Sequence, residues 1–89
     1  MKAVVTVIGK DRVGITAAVC VLLADYNINI LDISQTVMQD YFTMVMLVDI
    51  STSSVPVADL SDLLAKAGEE QELSIRIQRE DIFQAMHRI

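Results

Sequence analysis

Apolar and polar positions change their period within one short stretch near the start of the chain. Residues 2–8 follow the alternating pattern of a strand, whereas a set of later apolar positions follows the spacing of one helix face. That set is Ile15, Ala18, Val19, Leu22 and Leu23. The pattern predicts a strand over about residues 2–8, a helix over about 13–25, and a strand-to-helix turn over residues 9–15, called the elbow below.

The first predicted helix is apolar on more than one side. Ala17, Val21 and Ala24 form a second apolar row opposite the core-facing one. A helix that is apolar all round is covered on more than one side, so this row predicts contact with a second copy of the chain. Asn27 follows the helix where a left-handed residue would end it.

The remaining pattern predicts two more strands, a helix and a further strand. A second strand over residues 28–38 and a third over about 41–50 are separated only by Gln39 and Asp40, which predicts a tight hairpin. Pro56 suits the first turn of a second helix, and the pattern leaves open whether that helix ends at Gly68 or near Gln71. A fourth strand covers about residues 73–78.

The third strand has one fully apolar face and one mixed face. The apolar face is expected to lie under the helices, and it consists of Phe42, Met44, Met46, Val48 and Ile50. On the other face, Val45 and Leu47 would meet a partner or lie near solvent.

The predicted order is β-α-β-β-α-β, followed by a short helix over about residues 80–89 that Asp81 could cap. Right-handed crossovers over a shared sheet turn this order into an α+β, ferredoxin-like sandwich, in which two helices lie on one face of a four-stranded antiparallel sheet. We therefore expect one domain over residues 1–89, with its core in about 1–79.

Composition supports an oligomer and disfavours several partners. The 89 residues are 53% hydrophobic, with a mean hydropathy of +0.46, and a small core cannot absorb that much apolar surface, so a homodimer is expected first. A net charge of −5 disfavours nucleic acid and anionic lipid. The longest apolar run of the first helix, residues 17–24, is too short to span a bilayer. The single cysteine, Cys20, fits a reducing cytoplasm.

The usual chemical sites of this fold are not indicated. A metal chaperone needs paired cysteines, and an RNA-binding sheet needs exposed aromatic residues and a basic face. A hydrolase needs a nucleophile beside its base, whereas the one histidine, His87, is near the chain end. There it is expected to interact favourably with the negative C-terminal end of a helix dipole. The sequence therefore predicts no metal, no cofactor and no catalytic residue.

The elbow is the one stretch that favours a small molecule. A helix that begins there leaves its first N–H groups unpaired and positively polarised, which favours a carboxylate or another anion. Gly9 and Gly14 permit close backbone approach, and Lys10 and Arg12 add positive charge. The alternative is a connector in which the glycines only make the turn.

These residues carry a resemblance to a known family. The run Asp11-Arg12-Val13-Gly14-Ile15 after an apolar strand, with Asn27-Ile28-Asn29-Ile30 after the first helix, resembles the ACT domain, a small regulatory module that binds amino acids. The whole chain is similar to stand-alone ACT proteins of a little-characterised family, and also to the ACT modules of glycine-cleavage regulators.

The resemblance implies a homodimer or higher oligomer whose ligand lies between the elbow of one subunit and the second strand of a neighbour. It implies ligand contacts within residues 11–15 (Asp11, Arg12, Val13, Gly14 and Ile15) and at Asn29 and Ile30. We assign the ligand carboxylate to the helix N–H groups and its amine to Asp11. Val13 replaces a common proline, and Gly9 stands where serine-binding members have histidine.

Three functions follow as hypotheses. The first is a non-catalytic module that binds an amino acid or a similar small molecule at an oligomer interface. The second is a protein-interaction subunit that has lost its ligand. The third is a small enzyme acting on an anionic substrate, with Arg12 as the anion clamp. Asp32 and Gln35 on the second strand are read as solvent-facing residues, with ligand contact as the alternative.

Overall fold

The computed structural model describes residues 1–81 and contains the predicted order of four strands and two helices. In chain order these are β1 (Lys2–Lys10), α1 (Ile15–Asp25), β2 (Asn29–Met38), β3 (Tyr41–Asp49), α2 (Val57–Glu70) and β4 (Leu73–Arg79). The strands form one antiparallel sheet in the order β2-β3-β1-β4. The α+β, ferredoxin-like fold predicted from the sequence is confirmed.

One apolar cluster joins both helices to one face of the sheet. Val5 and Val7 of β1 and Met44 and Met46 of β3 are fully buried in it. The helices contribute Ile15, Val19, Leu23, Leu60 and Leu64, each at most 2% exposed. The prediction that the alternating face of β3 lies under helices is confirmed, since each of its five residues is at most 7% exposed.

The elements differ from the predicted ranges mainly at the elbow. β1 continues through Gly9 and Lys10, because these residues pair with Phe42 and Tyr41 of β3. α1 begins at Ile15 rather than near residue 13, since residues 13 and 14 form a turn. The connection between β1 and α1 is therefore only four residues long, 11–14.

Three turn residues adopt left-handed backbone geometry outside glycine. Asn27 has φ 59°, as predicted for the residue that ends α1, and Gln39 in the β2–β3 turn has φ 55°. Glu72 has φ 60° between α2 and β4. The hairpin at Gln39 and Asp40 is confirmed, with one of its two central residues in the left-handed region.

The second helix passes through Gly68 and ends at Glu70, which decides the question that the sequence left open. A Cβ atom at position 68 would lie 2.6 Å from the carbonyl oxygen of Leu73, so glycine here lets α2 approach the backbone of β4. Pro56 precedes the helix as its N-cap, and its carbonyl accepts the first helical hydrogen bond, from Leu60 N, at 2.9 Å.

The predicted C-terminal helix lies mostly outside the described residues. Glu80 and Asp81 have helical geometry. Asp81 therefore lies within the first turn rather than before it, and its Oδ1 is 3.5 Å from Nε of Arg79. Residues 82–89, including His87, are beyond the description.

Candidate functional site

The elbow is held in place by the β2–β3 hairpin. The backbone N–H of Asp11 donates to the carbonyl of Asp40 at 2.7 Å. The side chains of Asp11, Arg12 and Val13 are exposed, and that of Val13 is fully so. The hairpin tie therefore fixes the backbone of this short connection while its side chains face solvent.

Gly14 sets the direction in which α1 leaves the elbow. It is the N-cap residue, has φ 90°, and offers no side chain to cap the helix. A Cβ atom at this position would meet no atom within 4 Å. The backbone geometry thus favours glycine at this position, and the space beside it is open.

The first N–H groups of α1 are left for another acceptor. The first hydrogen bond of the helix runs from Ala18 N to the carbonyl of Gly14, at 2.9 Å. Across residues 1–81, the backbone N–H groups of Ile15, Thr16 and Ala17 have no acceptor, and the first turn contains no acidic residue. Arg12 and Lys10 form no ion pair with the described residues. This end of the helix can accept an anion or a carboxylate.

A side-chain contact that the sequence did not reveal joins α1 to β2. The hydroxyl of Thr16 donates to Oε1 of Gln35 at 3.1 Å. Gln35 is exposed, as the sequence predicted, and its register with Met44 places it on the helix side of the sheet. The contact fixes the first turn of α1 over the edge strand.

Two of the predicted site residues point into the protein rather than into the elbow. The side chain of Ile15 is 2% exposed and belongs to the core, so only its backbone N–H is available at the elbow. Ile30 is partly buried and packs against the same core. Their side chains support the site without facing it.

Asn29 lies at the opposite end of the sheet from the elbow of its own chain. It pairs with Asp49, which pairs with Lys2, whereas residues 11–14 of the elbow follow Lys10 at the other end of β1. The ten residues of β2 separate the two positions by about 30 Å at the usual rise per strand residue. The structure therefore does not bring Asn29 and the elbow together within one chain.

Asn29 borders an open cavity of its own. The cavity has a volume of about 350 Å³ and is lined by Ala24, Asn27, Ile28, Asn29 and Thr52. Two hydrogen bonds hold the loop that follows β3 against the end of α1 beside this cavity. The hydroxyl of Thr52 donates to the carbonyl of Asn27 at 2.9 Å, and Ser54 N donates to the carbonyl of Tyr26 at 3.0 Å.

Gly9 has a structural role that explains why this position holds no larger residue. A Cβ atom there would overlap Cδ2 of Leu73, a buried side chain at the start of β4. Any side chain at position 9 would have to displace Leu73. Gly9 therefore belongs to the packing of β1 against β4 rather than to the open part of the elbow.

The geometry matches what the comparisons with known proteins show. The model of the ACT domain family matches residues 2–78. This chain belongs to the ACT domain family. ACT domains are regulatory modules that bind small molecules.

Close relatives share the full length of the chain. It is 54% identical to a UPF0237 protein of Methanopyrus kandleri over 88 residues, which cover 99% of this chain and 98% of the relative. It is also 54% identical to a UPF0237 protein of Clostridium acetobutylicum over the full length of both chains. These relatives are stand-alone ACT proteins, as the resemblance implied.

Solved structures of other ACT proteins show the same fold. The fold superposes on an ACT domain protein from Streptococcus pneumoniae with a TM-score of 0.84 at 41% identity, covering 98% of each chain. It also matches a candidate glycine cleavage system transcriptional repressor, with a TM-score of 0.73 at 28% identity, over 88% of this chain and 44% of that one.

Proposed function

We propose that this protein is a non-catalytic regulatory module that binds a free amino acid, or a similar small molecule, at the interface of a homodimer. The observation that carries the proposal is the start of α1, where three N–H groups find no acceptor among residues 1–81 and adjoin an open space beside Gly14. We place the protein in the cytoplasm on the strength of its single, unpaired cysteine.

Each end of an amino acid has a matching group at the elbow. The N–H groups of α1 and the guanidinium of Arg12 suit the carboxylate, because the helix N-terminus carries a partial positive charge. The exposed carboxylate of Asp11 suits the ammonium group. One side of the ligand, however, would remain open to water in a single chain.

The edge strand β2 offers a way to close that side. β2 lies at one end of the sheet order, so one of its backbone edges is unpaired. If two copies of β2 pair antiparallel over their full ten residues, Asn29 of the partner subunit lies opposite Met38. Met38 immediately precedes the hairpin that holds the elbow, so this symmetry would bring Asn29 of the partner subunit to the end of the sheet that carries the elbow.

Exposed apolar side chains lie along the same edge. On β2, Ile33 is 40% exposed and Val37 is 53% exposed, although their register places them on the helix side of the sheet. Val21 on the outer side of α1 is 60% exposed. A second copy paired along β2 would bring its own α1 next to these residues and cover them.

The assembly is tested with two charge substitutions at similarly exposed valine and isoleucine positions. We expect the wild-type protein to have the mass of a dimer by light scattering. Val37→Glu should lower that mass to a monomer, whereas Ile8→Glu, at a position 47% exposed on β1, should not. A wild-type monomer, or a dimer that only Ile8→Glu dissociates, would contradict assembly through β2.

Ligand binding is tested by thermal unfolding with each of the twenty amino acids. At a concentration 100 times Kd, a ligand that binds only the folded state stabilises it by about 2.7 kcal/mol, which raises Tm by about 10 °C or more in a domain of this size. Asp11→Asn should reduce the shift, and the exposed Asp62→Asn on α2 should leave it unchanged. If no amino acid changes Tm, the protein-interaction alternative is favoured instead.

A further inference from the structure

The sheet has a second face, turned away from both helices, that carries an apolar stripe. We call it the open face. Its stripe comprises Val4, Ile8, Val45 and Leu47 on the two central strands, β1 and β3. Ile8 and Val45 are 47% and 39% exposed. The sequence left open whether Val45 and Leu47 meet a partner or lie near solvent.

The stripe is most deeply buried at the end of the sheet where β4 finishes. Val4 is only 7% exposed, although it lies outside the core cluster that the helices cover. It pairs with Leu47 on one side and Gln78 on the other. Beside Leu47, a shallow groove of about 160 Å³ continues to the β2 edge, lined by Asp32, Ile33, Ser34, Val45 and Leu47.

The chain leaves the sheet next to this stripe. β4 ends at Arg79, which pairs with Ala3, the neighbour of Val4 along β1. Glu80 and Asp81 have helical geometry, so the chain turns away from the strand direction at this point. Eight residues, 82–89, follow the described part.

We propose that residues 82–89 dock on the open face and cover its apolar stripe. Four apolar residues of this segment have the spacing of one helix side, namely Ile82, Phe83, Met86 and Ile89. As the helix that the sequence predicts, eight residues would extend about 12 Å, and β3 is two strand spacings, or about 10 Å, from β4. The segment is therefore long enough to pass over β1 and reach β3.

Charge favours the same placement. Asp32 lies on the open face of β2, at the far side of the groove, and its carboxylate forms no ion pair with any residue between 1 and 81. The segment carries Arg88 near its end, which the direction of crossing brings toward Asp32. The sequence offers a cation near the end of the segment, and the face offers a carboxylate that accepts a hydrogen bond from Ile33 N but has no ion-pair partner within the described part of the chain.

A second copy of the chain is the competing occupant of the open face. The segment of the same chain has the advantage of attachment, because a short tether holds it at a high effective concentration beside the stripe. The docking would also leave β2 as the available surface for assembly. It does not depend on ligand binding at the elbow, so either proposal can fail without the other.

A double-mutant cycle tests the contact between Leu47 and Phe83. We expect Leu47→Ala and Phe83→Ala each to lower the folded-to-unfolded ratio, measured by urea unfolding. The fold-decrease of this ratio in the double variant should be at least threefold smaller than the product of the two single fold-decreases, because each change removes the partner of the other. The control pair is Phe83→Ala with Leu63→Ala, where Leu63 is half-buried on α2, on the other face of the sheet, and its losses should multiply.

Two outcomes would overturn the proposal. If the losses of Leu47→Ala and Phe83→Ala multiply as those of the control pair do, the two side chains are not in contact. If the coupling appears only at protein concentrations where a dimer forms and vanishes on dilution, the segment docks on a second copy. Coupling that is independent of concentration supports docking within one chain.

Discussion

Replacing Gly14 separates the backbone role of this residue from its role in binding. Gly14 has φ 90°, and a Cβ atom there would touch nothing within 4 Å. The cost of Gly14→Ala in the free protein is therefore conformational strain without a steric clash. Gly14→Asn is the matched variant, since asparagine adopts left-handed geometry more readily than alanine does.

The expected magnitudes differ between the two variants. A left-handed backbone costs an ordinary L-residue about 1–2 kcal/mol, and 1 kcal/mol changes Tm by about 4–8 °C in a domain of this size. Gly14→Ala should thus lower Tm by at least about 4 °C, and Gly14→Asn by less. The ligand-induced rise in Tm should fall in both variants, because either side chain occupies the open space beside the helix N–H groups.

The assay is thermal unfolding with and without the amino acid that gives the largest shift with wild type. If Gly14→Ala leaves the Tm of the free protein unchanged, the chain does not need left-handed geometry at this position. If asparagine restores both the stability and the full ligand-induced shift, Gly14 only makes the turn and its bare backbone does not face the ligand. Gly14→Val should abolish binding, because its larger side chain would also occupy the space beside the helix N–H groups.

Two further predictions concern the framework around the site. Gly68→Ala should destabilise the protein by up to about 2 kcal/mol in urea unfolding, because overpacking against the Leu73 carbonyl, at a cost of about 1–3 kcal/mol, outweighs a gain in helix propensity of about 1 kcal/mol. Ala65→Gly on the exposed side of α2 calibrates the propensity term, and a more stable Gly68→Ala would contradict the contact. Hydrogen bonds from the side chain and then the backbone N–H of Ser51, aided by the N-terminal ammonium, lower the pKa of Asp49 below its ordinary value. Because the pKa of Asp49 is lower in the folded protein than in the unfolded chain, its ionised carboxylate stabilises the fold at neutral pH, and this contribution is lost as the pH falls through the folded-state pKa. Asp49→Asn should therefore be less stable than wild type at pH 7. A stability difference that stays constant down to pH 3 would contradict the assignment.

The sequence predicted the elements well where periodicity and packing agree. The alternating face of β3 and the apolar side of α1 both became core, because each belongs to an element whose pattern has one period along its length. The prediction failed at the elbow, where Gly9 and Lys10 extend β1. Their pairing with Phe42 and Tyr41 is a tertiary contact that no local pattern contains.

The exposure of β2 was not predictable for a related reason. Its residues Ile33 and Val37 alternate in the same way as core residues, and their register places them on the helix side. Whether a helix covers them depends on where α1 lies across the sheet, which the spacing of residues in one strand does not specify. The contact between Thr16 and Gln35 shows the helix reaching this edge, yet Val37 remains 53% exposed.

The position of Asn29 carries the strongest argument that the site requires two chains. Its motif and the elbow stand close in sequence, with α1 between them, but α1 returns the chain to the far end of the sheet. No rotation of a side chain can cover the resulting distance of about 30 Å. A ligand that contacts both would therefore lie between subunits, and the proposed antiparallel pair of β2 strands is one arrangement that brings the far end of one chain toward the elbow of the other. A monomer that bound an amino acid at the elbow would do so without Asn29, and Asn29→Ala would then leave its affinity unchanged.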